Sequence, residues 1–309
     1  MRIASLWRVT EPAIAVLISP TGTDPDLEAV RRSAAELGGR VAEVSDLGTL
    51  PAIEGARAIG LHQVEVAGAH WRELGRRLRR LAEPAGQRVV VRPADLSVDA
   101  PLLVVMDVDS TLITAEVIEL LAAHVGREAE VAAVTERAMR GELDFAQSLH
   151  QRVAVLEGLP TSVFAEVRAA VRPTPGVPEL IRTLAAADCP VGVVSGGFAE
   201  IVEPLAADLG ITYTHANRLE VADGRLTGRV AGAVVDRAEK ARRLRAYAET
   251  AGIPLERTVA VGDGANDLDM LALARLGIAF NAKPAVRAAA DASLTERLDV
   301  LAPILGLPL

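Results

Sequence analysis

The sequence predicts an α/β protein of two domains, in which a small α+β domain precedes a larger domain built on a parallel sheet. Three observations lead to this prediction. The chain has 309 residues and is 50% hydrophobic, which is enough for two buried cores. Strand and helix patterns follow one another in a different order in each half. A polar segment with two prolines, residues 92–101, separates the halves and predicts a linker.

The first half shows strand patterns at residues 13–18, 40–44, 56–66 and 89–91, with a helical pattern after the first and after the third. The apolar positions of the two helices are Leu27, Val30, Ala34 and Leu37, and Trp71, Leu74, Leu78 and Leu81. The order βαββαβ predicts a ferredoxin-like α+β domain over residues 1–98.

The second half begins with an apolar run at residues 102–106, and similar runs occur at 190–194, 258–262 and 277–280. Helical stretches separate these runs, which is the pattern of parallel strands buried on both faces. We therefore predict a Rossmann-like parallel sheet as the core of a second domain over residues 99–309.

Two segments interrupt this alternation. Residues 115–172 have the pattern of several consecutive helices without a strand between them, which predicts a helical cap inserted into the sheet domain. Residues 218–221 and 226–230 flank the dipeptide Asp223-Gly224, and an Asp-Gly turn between alternating segments predicts a β-hairpin.

Acidic residues follow two of the predicted parallel strands. Asp107 and Asp109 come directly after the run at 102–106, and Asp263 and Asp267 follow the run at 258–262. Because ligands of open α/β sheets bind at the carboxyl ends of the strands, we expect these side chains to converge. Several carboxylates together need a cation, and oxygen ligands favour Mg²⁺, whereas the five scattered histidines give no support for zinc.

A third strand, at residues 190–194, runs into Ser195-Gly196-Gly197. A hydroxyl followed by backbone N–H groups at the start of a helix is a suitable seat for phosphate. The G-x-S-x-G pattern of serine hydrolases fails, because Val193 stands at its first glycine. Lys240 is one of only two lysines among 33 basic residues, and its ammonium is suited to neutralising a phosphoryl group.

The net charge of −8 argues against a nucleic-acid surface, because such a surface needs an excess of clustered Lys and Arg. The single cysteine, Cys189, cannot form an internal disulfide, and residues 1–7 lack the apolar core of a signal peptide. No apolar run approaches the roughly 20 residues of a membrane span. We therefore expect a cytoplasmic protein with no nucleic-acid or membrane partner.

In order and content, these motifs resemble the haloacid-dehalogenase superfamily of phosphotransferases across residues 102–295. The motifs that carry the resemblance are Asp107 to Thr111, Ser195 to Phe198, Lys240 and Gly262 to Asp267. In the cap, residues 138–141 with Phe145, residues 147–149 and Arg152 are similar to the substrate segment of the phosphoserine phosphatase branch. The N-terminal domain resembles the ACT-type regulatory modules of some of these enzymes.

The resemblance implies a Mg²⁺-dependent phosphatase that releases serine and phosphate from phosphoserine, the last step of serine biosynthesis, through an aspartyl-phosphate. It implies catalytic roles for Asp107 as nucleophile, Asp109 as acid and base, Ser195 and Lys240. Metal ligation is implied for Asp107, the Asp109 main-chain carbonyl, Asp263 and Asp267. Substrate binding is implied for Glu116 at the ammonium, Arg152 at the carboxylate, and Met139, Phe145, Ser195, Gly196, Lys240 and Asn266. Serine as a feedback ligand of the N-terminal domain and a homodimer are compatible with it.

Two alternatives remain open at this point. One is a phosphatase or phosphotransferase for another small monoester, such as phosphohomoserine or phosphothreonine, because one methyl group changes binding by only about 1 to 3 kcal/mol. The other is an amino-acid-binding regulatory protein whose phosphatase domain is vestigial. A receiver-type signalling domain also gathers acids and a lysine, but it would have no helical cap.

Overall fold

The protein is described by a computed structural model for residues 12–308, apart from the side chain of Met139. Residues 1–7, which bear on the signal-peptide prediction, lie outside the described residues. The strands are β1 Ala13–Pro20, β2 Arg40–Leu50, β3 Ile59–Ala67, β4 Arg88–Pro93, β5 Leu103–Met106, β6 Val191–Phe198, β7 Tyr213–Ala222, β8 Arg225–Ala231, β9 Thr258–Gly262, β10 Leu276–Phe280 and β11 Ala292–Leu294. The helices are α1 Leu27–Glu36, α2 Trp71–Ala82, α3 Val117–Ala123, α4 Glu128–Met139, α5 Phe145–Ala154, α6 Val163–Ala170, α7 Val177–Ala186, α8 Ala199–Leu209, α9 Arg237–Ala251, α10 Leu268–Leu273, α11 Pro284–Ala289 and α12 Leu301–Ile304.

The first sheet has four antiparallel strands in the order β2-β3-β1-β4, with α1 after β1 and α2 after β3. This is the ferredoxin-like arrangement that the strand and helix order predicts. The expectation that Leu81 belongs to the apolar stripe of α2 is wrong, since Leu81 is 44% exposed. At 3.6 residues per turn the stripe through Trp71, Leu74 and Leu78 continues at Ala82, which is buried.

The second sheet has seven strands in the order β11-β10-β9-β5-β6-β7-β8, and every neighbouring pair is parallel except β7 and β8. The Rossmann-like parallel core is therefore confirmed. β5 lies between β9 and β6, and its four residues are fully buried. The carboxyl ends of these three strands, which carry the sequence motifs, thus meet at one edge of the sheet.

The predicted hairpin is confirmed, and Asp223 and Gly224 form its turn between β7 and β8. The helices α3 to α6 follow one another with no named strand between them, as the cap prediction requires. Main-chain hydrogen bonds join the cap to the hairpin. Leu226 donates its N–H to the carbonyl of Leu159 at 2.8 Å and accepts from Gly158 at 2.9 Å, and Thr161 donates to Gly224 at 2.9 Å. The cap is therefore attached to the sheet through the hairpin.

The two sheets are held together by arginines. Arg72 of α2 forms an ion pair with Asp291 at 2.8 Å and donates to the carbonyl of Arg275 at 3.1 Å. Arg257 donates hydrogen bonds to four carbonyls of the linker between residues 95 and 101. The linker is thus fastened to the second sheet, while the domain division between residues 98 and 99 stays a prediction. Within residues 12–308, no helix is long and apolar enough to span a membrane.

Candidate active site

Lys240 lies at the centre of a buried charge cluster at the carboxyl edge of the second sheet. Its ammonium is 2.7 Å from Asp107 Oδ1 and donates to Asp267 Oδ1 at 2.6 Å, and the lysine is fully buried. Burial by itself lowers the pKa of Lys240, but attraction to Asp107 and Asp267 outweighs it and holds the pKa above its ordinary value. The lysine is therefore charged and bridges the ends of β5 and β9.

Asp107 is 4% exposed and follows β5 directly. Its main chain donates to the carbonyl of Val261 in β9 at 2.9 Å, and its Oδ1 accepts from the N–H of Val108 at 2.7 Å. Burial and the nearby carboxylate of Asp267 raise the pKa of Asp107 well above its usual value, against the opposing attraction of Lys240. Asp107 is thus an oriented carboxylate in a place where negative charge is costly.

Carboxylate oxygens of Asp107, Asp263 and Asp267 lie within 4.8 Å of one another. Burial and the charges of Asp267 and Glu116 raise the pKa of Asp263 to about 6. A single ammonium does not compensate three converging carboxylates, so a divalent cation with oxygen ligands fits this cluster. Gly262 permits the approach of Asp267, because a side-chain Cβ at that position would lie 2.5 Å from the carboxyl group.

Asp109 occupies a different environment from Asp107. β5 ends at Met106, and Asp109 lies in an irregular turn, Val108–Leu112. Asp109 Oδ1 accepts from the N–H of Val117 at 3.4 Å. Burial and the charge of Glu116 raise the pKa of Asp109 to about 8, which favours the protonated form of its carboxyl more than in an ordinary aspartate.

Ser195 ends the regular pairing of β6 and is fully buried. Its hydroxyl accepts a hydrogen bond from the N–H of Gly197 at 2.8 Å. The expectation of a helix start at these glycines is wrong, because β6 continues to Phe198 and α8 begins at Ala199. A Cβ on Gly197 would lie 2.8 Å from Asp109 Oδ2, so glycine is required for the acid to come this close.

Asn217 is a residue of this site that the sequence reasoning missed. Its Nδ2 donates to the carbonyl of Gly196 at 2.8 Å, and its Oδ1 accepts from the N–H of Val235 at 2.8 Å. Asn217 is 1% exposed, so it holds the irregular end of β6 at Gly196 from within the protein. An amide side chain in the middle of a strand pattern, where β propensity disfavours it, was the available signal.

A cavity of about 1610 Å³, open to solvent, lies between the sheet edge and the cap. Its lining includes the predicted residues Asp107, Asp109, Glu116, Phe145, Arg152, Gly196, Asp263 and Asn266. Ser148 and Leu149, from the predicted substrate segment, also line it, as do Ile118, Thr135, Leu143, Arg237 and Lys283, which were not predicted. Ser195, Lys240 and Asp267 are buried behind this lining. The side chain of Met139 lies outside the described residues.

The cap contributes opposite charges to the cavity. Glu116 accepts a hydrogen bond from the Ser110 hydroxyl at 2.9 Å, which fixes its carboxylate near the turn that holds Asp109. Burial lowers the pKa of Arg152, while the charges of Glu116 and Asp109 oppose that shift. The ring of Phe145 approaches Gly196 near the end of β6, since a Cβ on Gly196 would lie 3.1 Å from Phe145 Cζ. The cavity can therefore hold a small molecule that carries both charges.

Comparison with known proteins places this arrangement of strands, acids and cap in a family. The haloacid dehalogenase-like hydrolase family matches residues 104–272, which is more than half of the chain. The chain belongs to this family. The phosphoserine phosphatase of Streptomyces coelicolor is 56% identical over 243 residues, which are 78% of this chain and 59% of that protein. The phosphoserine phosphatase of Mycobacterium tuberculosis is 57% identical over 205 residues, which are 66% of this chain and 50% of that protein.

A solved structure matches both halves of this chain. The unliganded probable phosphoserine phosphatase from Vibrio cholerae is 32% identical, with a TM-score of 0.71, and the match covers 95% of this chain and 86% of that one. The chain therefore shares its architecture with that protein, whereas it spans only 59% and 50% of the two relatives compared by sequence.

Replacing Lys240 by methionine tests the charge bridge. Lys240→Met leaves Asp107 and Asp267 facing each other without a cation, so we expect the free energy of unfolding to fall by about 3 to 5 kcal/mol near pH 8. Carboxyl groups with a raised pKa in the folded state stabilise it at low pH and lose that contribution as pH rises through the raised value. The loss should therefore be smaller near pH 5.

Urea denaturation without added metal at both pH values measures this difference. Lys283→Met is the matched control, because it removes the only other lysine from an exposed position. Equal destabilisation by Lys240→Met at the two pH values would contradict the proposed repulsion.

Proposed function

We propose that this protein is a Mg²⁺-dependent phosphatase that hydrolyses O-phosphoserine to serine and phosphate through an aspartyl-phosphate on Asp107. The observation that carries the proposal is the meeting of two aspartates at one cavity, one of them in contact with a buried ammonium. Asp107 is held by Lys240 at 2.7 Å, while the pKa of Asp109 is raised to about 8. A nucleophile and a proton donor are the two groups that this reaction needs.

The metal proposal rests on the acidic cluster. Asp107, Asp263 and Asp267 would hold Mg²⁺ through carboxylate oxygens, together with the main-chain carbonyl of Asp109. When bound, the ion would neutralise phosphoryl oxygens that otherwise repel the attacking carboxylate. Asp267 also accepts hydrogen bonds from Lys240 and from the N–H of Gly264, so part of its role is to orient the lysine.

In the first half-reaction an oxygen of Asp107 attacks phosphorus, and the bond from phosphorus to the serine oxygen breaks. Asp109 donates its proton to that oxygen, which leaves as the hydroxyl of serine. Lys240, Ser195 and the N–H of Gly196 stabilise and position the phosphoryl group. The raised pKa of Asp109 matches this step, because a carboxyl group with an ordinary pKa would already have lost its proton at pH 7.

In the second half-reaction Asp109 is a carboxylate and accepts a proton from water as the water attacks phosphorus. The bond between Asp107 and phosphorus then breaks, which releases phosphate and restores both acids. One group thus serves as acid and then as base, and the cycle leaves no net proton on the protein.

Substrate choice follows from the charges of the cap. Arg152 can hold the carboxylate of phosphoserine through two N–H groups, and Glu116 complements its ammonium. The ring of Phe145 lies beside Gly196, and Asn266 also lines the cavity. We include Met139 as a further substrate contact from the sequence resemblance. The relatives named phosphoserine phosphatases support this choice over phosphothreonine or phosphohomoserine.

The remaining sequence predictions stay proposals. We propose a regulatory, ACT-type role for the domain at residues 1–98, with serine as its feedback ligand and a homodimer as the assembly. We also propose that the protein acts in the cytoplasm as the last enzyme of serine biosynthesis. The vestigial-enzyme alternative is less favoured, because Asp107, Asp109 and Lys240 are all present at the cavity or directly behind it.

Asp107→Asn tests the nucleophile. We expect kcat for phosphoserine to fall by about 10⁴-fold or more, since an amide does not form the acyl phosphate. Acid quenching of the wild-type protein with ³²P-labelled substrate should trap a hydroxylamine-sensitive label that the variant lacks. Asp223→Asn in the exposed hairpin turn is the control and should keep both activity and label. Substantial turnover by folded Asp107→Asn would rule out this nucleophile.

Arg152→Ala tests the carboxylate contact. We expect KM for phosphoserine to rise by about 10- to 100-fold, because a charge-assisted contact of roughly 1.5 to 3 kcal/mol is lost. KM for p-nitrophenyl phosphate, which has no carboxylate, should change little. Arg168→Ala, at an exposed arginine of α6 in the cap that pairs with Asp208, is the matched control. Similar changes for both substrates would contradict a carboxylate contact.

Gly197→Ala tests the close approach of Asp109. The new methyl group would lie 2.8 Å from Asp109 Oδ2 and 3.0 Å from Ser195 Oγ, so both groups must shift. We expect kcat to fall by about 100-fold, which is typical of a displacement near 1 Å at a reacting group. Gly60→Ala is the control, because a Cβ at Gly60 meets no atom within 4 Å. Unchanged kcat in Gly197→Ala would show that Asp109 needs no such approach.

A further inference from the structure

A second polar cleft lies between the two domains, away from the catalytic cavity. It has a volume of about 740 Å³ and is formed by α2 of the first domain and α11 of the second. Its lining consists of Arg76, Arg79, Arg80, Glu83, Pro284, Arg287 and Ala288. We call it the arginine cleft. Four guanidinium groups and one carboxylate give it a strong positive charge on a protein whose net charge is −8.

One arginine fixes the geometry of the cleft. Arg79 is half-buried and donates through Nη1 to the carbonyl of Arg287 at 2.7 Å and to that of Ala290 at 3.1 Å. Burial lowers the pKa of Arg79, the charges of Glu83 and Asp291 oppose this shift, and the charges of Arg76 and Arg80 add to it. Arg79 therefore joins the two walls, and the other guanidinium groups repel it.

The remaining arginines are not explained by ion pairs. Within residues 12–308, no carboxylate makes a salt bridge with Arg76, Arg80 or Arg287, whereas the neighbouring Arg77 pairs with Glu36. Arg76 and Arg80 are four residues apart on α2, so they lie on the same face of the helix. The sequence alone favours a solvated helix face, but the wall formed by α11 turns that face into a cleft.

The cleft is connected to the catalytic cavity through α11. This helix has six residues, and its N-cap, Lys283, lines the catalytic cavity, while Arg287 in its last turn lines the arginine cleft. A ligand that binds Arg287 therefore restrains a helix whose other end lies beside the candidate active site.

We propose that the arginine cleft binds a small anion that carries two or more phosphate groups. Guanidinium groups from both walls match phosphate oxygens in paired hydrogen bonds, and the binding relieves their mutual repulsion. Arg76 and Arg80 on α2 and Arg287 on α11 together offer donors for more than one phosphate, so several linked phosphates are the class of ligand that fits. This proposal does not rest on the proposed phosphatase reaction, because the cleft contains none of the proposed catalytic residues.

Isothermal titration calorimetry with inorganic tripolyphosphate, in EDTA so that no metal is present, tests the proposal. The double variant Arg76→Ala/Arg80→Ala should bind the probe about tenfold more weakly than the wild type or worse. Arg31→Ala/Arg32→Ala on α1 is the matched control, because it removes the same charge from two exposed positions outside the cleft. The control should retain the wild-type affinity.

Hydrogen exchange supplies a second readout. Tripolyphosphate should slow exchange of the amides of α11 in the wild type and in the Arg31→Ala/Arg32→Ala protein, and should not do so in the cleft variant. Arg287→Ala, on the opposite wall, should reproduce the loss of affinity. ADP as a second probe shows whether a nucleoside adds to the binding of the phosphates.

Several outcomes would overturn the proposal. Equal affinity in the wild type and both cleft variants would place the binding elsewhere, and the absence of heat above the buffer would exclude it. Orthophosphate binding as tightly as tripolyphosphate would exclude the requirement for linked phosphates. Binding to anionic phospholipid vesicles without binding to soluble polyphosphate would identify a membrane surface instead. None of these results depends on phosphoserine hydrolysis, so the proposed function stands or falls separately.

Discussion

The site depends on one buried ammonium, that of Lys240. It has no contact with solvent and bridges carboxylates that follow two different strands, Asp107 after β5 and Asp267 within the turn after β9. Each carboxylate alone would carry a large desolvation cost, and the lysine alone would do so as well. Attraction between the ammonium and the carboxylates offsets this desolvation cost. The same contact orients Asp107 toward the cavity before any ligand binds.

In the proposed function, the core and the cap contribute different parts of substrate recognition. The sheet edge supplies groups that would act on a phosphoryl group whatever its leaving group is. The cap supplies Glu116 and Arg152, whose opposite charges suit an amino acid at the leaving side. A change of substrate within this architecture would therefore require changes in the helices of the cap, while the sheet edge could stay as it is.

The sequence predicted the parts that depend on local pattern and on strand ends. The acids after β5 and β9 were found because a strand followed by carboxylates implies a common edge, and the hairpin was found from Asp223-Gly224. Asn217 and Leu81 were misjudged for a physical reason. The role of Asn217 depends on the pairing of β7 with β6, which brings it beside Gly196. The exposure of Leu81 depends on the rotation of α2 about its axis relative to the sheet. Both depend on tertiary packing, which the spacing of residues along the chain does not reveal.

The main-chain hydrogen bonds between the cap and the hairpin limit how a substrate can enter. Leu226 pairs with Gly158 and Leu159, and Gly224 accepts from Thr161, so this side of the cap behaves as a continuation of the sheet. A cap that opened as a rigid lid would have to break these bonds or carry the hairpin with it. The segment around residues 158–161 and the hairpin would therefore move as one unit in any opening of the cap.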